Sequence, residues 1–138
     1  MSSVASKIAT IVHCVERARA EHAQPGDSFG SNFTHQDAAI LNILRACESA
    51  VDLANMLIRS RRLGLPSEMR ESFALLERGG FIPVDLSQRL QNMVGFRNIA
   101  VHQYKKLDLA IVESVIRKGL EDLLIFAEAV RPHLDTDT

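Results

Sequence analysis

No run of apolar residues in this chain approaches the roughly 18–20 that a membrane-spanning helix needs, so no membrane span is expected. The first stretch, MSSVASKIATIVHCVERA, has no long apolar block and no basic leader. It is not read as a signal peptide, and a cytoplasmic location is expected. Cysteine is scarce: Cys14 and Cys47 are the only two. They lack CxxC spacing and sit inside helical patterns, so both are expected to be buried free thiols. No metal site and no cofactor are expected. An excess of one charge is also missing. The formal net charge is −1, which does not fit a protein that coats DNA. There is no internal repeat, no low-complexity segment, and no stretch with the alternation of a half-buried strand.

What is present is one domain's worth of chain. Its 138 residues suffice for a single core, and the domain is taken as 1–138, with the closing DTDT expected to be flexible. Hydrophobic residues make up 46% and charged residues 24%, as in ordinary globular proteins. The positive charge is nearly all arginine, 12 Arg against 4 Lys. Arginine is the better fork for phosphate, so a local basic surface could still hold a nucleic acid. Clusters occur at RSRR (59–62) and YKK (104–106).

Apolar spacing of three and four predicts helices throughout. Val4, Ile8, Ile11, Val12 and Val15 mark a first helix over 3–22, and QPGDSFGSN (24–32) breaks it. Thr34 with Asp37 has capping-box spacing. A second helix runs from there to about 62, its apolar stripe widened by Leu41, Leu53 and Leu57. So long and broad an apolar face hints at a partner subunit. Ser67 is expected to cap a short helix that Gly79-Gly80 stops. Pro83, with Asp85 and Gln88 in capping-box spacing, restarts the chain. Asp108 opens a last helix that Pro132 ends. The expected fold is an all-α, mostly antiparallel bundle of four to five helices.

The fourth helix carries GFRNIAVHQY (95–104), which gathers Arg97, Asn98, His102 and the chain's only tyrosine, Tyr104. Asn98 and His102, four apart, share a helix face. Arg97 and Tyr104, seven apart, nearly align. Arg97 and His102 point about 140° apart on an ideal helix. Either the helix unwinds near His102, or a symmetric copy completes the site. Gly95 costs about 1 kcal/mol relative to alanine inside a helix, and close approach of a partner backbone would account for it. Chemically, a histidine gives and takes protons, an arginine stabilises charge on a phosphate, and an amide orients either one. This set suffices for RNA cleavage by attack of a ribose 2′-OH on the adjacent phosphorus.

The spacing Arg97–x4–His102–x–Tyr104 resembles the RX4HXY signature of the HEPN superfamily, and the chain is similar over most of its length to the HepT-type ribonuclease toxins. The polar Asn98 after the arginine and Gly95 before it fit that pattern, and Glu48 falls where relatives often carry an acidic residue. The resemblance implies a homodimer with two motifs facing each other across a cleft. It implies metal-independent endoribonuclease action on mRNA or tRNA, in a type VII-like toxin–antitoxin pair. The implied partner is a minimal nucleotidyltransferase (MNT) antitoxin that transfers AMP groups to Tyr104. His102 would then move protons, Arg97 would stabilise the phosphorane, and Asn98 would support His102 or contact phosphate. Lys105 and Lys106 would guide RNA. The competing reading is a non-catalytic HEPN module that binds nucleotide or RNA beside a nucleotidyltransferase. His13, His22, His35 and His133 belong to no visible constellation and are taken as structural or surface residues.

Overall fold

The computed structural model describes residues 3–23 and 29–134, and these form an all-helical bundle. In order they are α1 (Ser3–His22), a 3-10 turn (Phe29–Ser31), α2 (Phe33–Arg61), α3 (Met69–Arg78) and α4 (Val84–His102). A second 3-10 turn (Tyr104–Lys106), α5 (Leu109–Ser114), a π turn (Val115–Gly119) and α6 (Leu120–Leu134) follow. The last three run on without a break, so the bundle has five helical rods. No strand occurs among the described residues, and no helix there is long and apolar enough to cross a membrane. The DTDT tail lies outside the described residues.

The rod α2 organises the rest. Its 29 residues span roughly 43 Å at 1.5 Å per residue. It packs along α1 and also meets α3, α4 and α6. Small residues make that approach close: Ala39, Ala46, Ala50 and Ala54 are fully buried beside Ile43, Leu53 and Leu57. Cys14 and Cys47 are free, buried thiols. Burial raises the pKa of both thiols, Cys47 to about 12, so neither offers a thiolate near neutral pH. On the far side, Phe73 of α3 meets Phe126 of α6 edge to face at 5.3 Å, a favoured aromatic geometry.

Several local expectations change. Thr34 does not cap α2. Asn32 does, in an extended conformation with its side chain accepting from the His35 N–H, because the preceding 3-10 turn already brings the chain round. Asp37 is thereby left for another partner. Leu41 is 46% exposed and does not widen the buried stripe. Ser67 donates to Glu71 through both its backbone N–H and its hydroxyl, while the cap residue of α3 is Glu68, without a side-chain bond. Asp85 forms no capping box and pairs with Arg89 at 3.4 Å. Pro132 lies within the last turn of α6. The regular last helix expected from Asp108 is interrupted by the π turn at Val115–Gly119. There Met93 of α4 lies only 2.8 Å from where a Gly119 Cβ would stand. Asp108 does cap α5, accepting from the Ala110 N–H.

The histidines outside the motif have structural surroundings or face solvent. His22 pairs with Glu113 at 2.8 Å, His35 with Glu21, and the His133 ring packs on Phe81. His13 is exposed.

Leu57 is fully buried in the C-terminal part of α2. Leu57→Ala should destabilise the chain by about 2–5 kcal/mol, read as a lower urea midpoint at unchanged slope.

Candidate active site

Helix α4 stays regular through His102 and ends there, so the directions of its polar side chains are fixed by helical twist. Arg97 turns towards α2. Its guanidinium reaches Glu48 Oε2 at 3.3 Å through Nη2 and Asn98 Oδ1 at 3.1 Å through Nη1. The side chain is 18% exposed, and its Nε is a buried donor with no acceptor among the described residues. Asn98 thus has its carbonyl oxygen engaged by Arg97. His102 is exposed, and among the described residues no hydrogen bond joins it to Arg97 or Asn98. The helix does not unwind before His102, so within one chain the arginine and the imidazole face different directions.

Tyr104 is not the next step along that helix. Gln103 leaves helical geometry at φ −140°, ψ 49°, and Tyr104–Lys106 form a 3-10 turn closed by the Leu107 N–H on the Tyr104 carbonyl. The expected alignment of Arg97 with Tyr104 is therefore lost. Instead the Tyr104 hydroxyl donates to Asp37 Oδ1 of α2. Burial, then the hydrogen bond to Asp37 and that carboxylate's charge, push the phenol up to about 12. Lys105 and Lys106 are exposed on the same turn.

Asp37 and Glu48 are eleven positions apart on one helix, about three turns, and so lie within roughly 20° of one face. That face of α2 anchors both Tyr104 and Arg97. Glu48 had a faint sequence signal. Asp37 had only a capping signal, and its contact with a residue 67 positions away could not be read from the chain. Arg70 was also missed. Its Nη2 lies 2.6 Å from where a Gly95 Cβ would stand, so the motif glycine makes room for a guanidinium from α3. Gly95, Asn98 and His102 share a face of α4, which puts Arg70 on the stripe that ends at the imidazole. Among the described residues, no group of three or more His, Cys, Asp or Glu side chains is placed to hold a metal ion.

Residues 11–130 match the family model described as "Ribonuclease HepT-like". The chain belongs to the HepT-like ribonuclease family. It is 42% identical over 128 residues, 93% of this chain and 96% of the relative, to the mRNA nuclease HepT of Shewanella oneidensis. Among solved structures it resembles the tri-AMPylated Shewanella oneidensis HEPN toxin in complex with MNT antitoxin, at 41% identity and a TM-score of 0.90. That match covers 96% of this chain and 98% of the other. A crystal structure of a toxin–antitoxin with AMP-PNP is similar at 40% identity and a TM-score of 0.90, covering 96% and 99%. The all-helical HepT-like fold thus agrees with the sequence reading in class and in helix number.

Tyr104 is the only tyrosine and tryptophan is absent, so ultraviolet titration of phenolate absorbance reports this one residue. The midpoint should lie near 12 and fall in Asp37→Asn, which keeps the burial but loses the carboxylate's hydrogen bond and charge. Because the folded value is raised, the stability contributed by the protonated Tyr104 is complete below pH ~10 and is lost as pH rises towards 12. Gly95→Ala should fold, since the group in its way is the end of a flexible side chain, and should displace Arg70. Its melting temperature should stay within a few degrees of the parent chain, about 1 kcal/mol of helix propensity being offset by the displaced guanidinium.

Proposed function

We propose that the chain is the ribonuclease toxin of a toxin–antitoxin pair, acting in the cytoplasm on cellular RNA by metal-independent chemistry. The observation that carries this reading is the orientation of Arg97 and His102. They belong to one short motif, in a chain of a ribonuclease family, and yet face directions about 140° apart on an unbroken helix. A second copy across a two-fold axis would supply the missing member of each pair. The exposed Ile99, Val101 and Ile111 around this region suit burial in such a homodimer.

In that cleft one His102 removes the proton from a ribose 2′-OH, which attacks the adjacent phosphorus. The other His102 protonates the leaving 5′-oxygen. Arg97, held by Glu48 and Asn98, presents its charge to the crowded phosphorane. Asn98 serves through that guanidinium or by direct contact with phosphate. Lys105 and Lys106 draw in the RNA backbone. The partner is a nucleotidyltransferase antitoxin of the MNT class, and AMP on Tyr104 switches the nuclease off. The phosphodiester adds a negative charge close to the RNA path, where it repels substrate. Support comes from the AMPylated relative in complex with an MNT antitoxin and from the solved toxin–antitoxin with AMP-PNP.

The purified chain in EDTA should cut total cellular RNA and leave 2′,3′-cyclic phosphate or 3′-phosphate ends. His102→Ala and Arg97→Ala should each lower the rate by at least about 100-fold without loss of fold. Inactivity of unmodified, folded wild-type protein would instead favour a non-catalytic nucleotide- or RNA-binding module.

A further inference from the structure

We propose that Asp37 accepts the phenolic proton of Tyr104 when that hydroxyl takes up an adenylyl group, so the chain supplies a catalytic residue for its own modification. The inference rests on the reading of Tyr104 as the modified residue. Its physical basis is a single contact: the Tyr104 hydroxyl donates to Asp37 Oδ1. The reacting oxygen therefore already shares its proton with a carboxylate before any nucleotide arrives.

A protonated phenol is a weak nucleophile, and this one is held in the protonated form, up to about 12. Phenolate is scarce near neutral pH, so the proton must leave as the new bond forms. A hydrogen-bonded carboxylate is placed to take it. The step balances with a nucleoside triphosphate brought by the nucleotidyltransferase. The Tyr104 oxygen bonds to the α-phosphorus, and the bond from that phosphorus to the α–β bridging oxygen breaks. Pyrophosphate leaves with the electron pair, and the phenolic proton passes to Asp37 and on to water.

The surroundings fit this role. Tyr104 and Asp37 border a cavity of ≈ 280 Å³. From α2 it receives Gln36 and Asp37, from the 3-10 turn Lys105, and from α5 only the apolar Leu109 and Val112. Asp37 is the sole carboxylate among these lining residues, so no second base competes for the proton. Lys105 is the one lining cation, placed to face the phosphate that arrives.

The experiment is a time course of AMP addition by intact mass, with ATP and saturating purified nucleotidyltransferase, across pH. It compares wild type, Asp37→Asn, Asp37→Glu and Tyr104→Phe. Asp37→Asn should slow the first AMP addition by about 100-fold or more at neutral pH while its RNA cleavage stays at the wild-type level, which also certifies the fold. The residual rate should climb with rising pH, as the phenol freed of its carboxylate ionises at lower pH than in wild type. Asp37→Glu should recover part of the loss. Modification of Asp37→Asn at the wild-type rate or faster across the pH range would overturn the proposal. If Tyr104→Phe takes up AMP as fast as wild type, the reading of Tyr104 as acceptor fails instead.

Discussion

The unbroken twist of α4 between Arg97 and His102 is the constraint on which the rest of the site depends. A helix of 3.6 residues per turn cannot aim residues five apart at one point. Arg97 is sent inward to α2, where Glu48 and Asn98 fix its fork. His102 is sent outward to solvent at the last position of the helix. The two-fold arrangement proposed for the nuclease is one way to bring both groups to one phosphate, since a second copy would supply the member that one helix turns away.

Helix α2 is the platform that makes this geometry hold. Its buried side forms the core with α1 and receives α3, α4 and α6. One of its other faces carries Asp37 and Glu48 three turns apart, a separation of roughly 16 Å along the axis. Glu48 holds the arginine of the motif and Asp37 holds the tyrosine. Both motif side chains are therefore referred to one rigid rod. If Tyr104 is adenylylated, its oxygen no longer has a proton to donate and gains a neighbouring negative charge. Its contact with Asp37 then turns from attraction to repulsion, and the modified side chain is driven off α2.

Much of this was legible in the chain. The apolar periodicity of Val4, Ile8, Ile11 and Val15 placed α1 at its observed bounds, because an amphipathic stripe is a local property of spacing. Asp108 was read correctly as a cap for the same reason. The caps at Thr34 and Asp85 were misread because a capping signature needs only residue types at fixed offsets. Whether the bond forms depends on how the preceding chain enters the helix. The π turn left no signal beyond Gly119, where Met93 from another helix packs close.

The same division runs through the site. By itself the sequence determined the all-helical class, the gathering of Arg97, Asn98, His102 and Tyr104 in ten residues, and the 140° problem, all consequences of local spacing along one chain. Only the tertiary structure decided that α4 stops at His102, that Tyr104 turns away onto Asp37, that Glu48 and not His102 meets Arg97, and that Gly95 accommodates Arg70. Those contacts join helices far apart in sequence. Their formation depends on how the apolar faces of α1, α2, α3 and α4 pack, and no short stretch of residues encodes that.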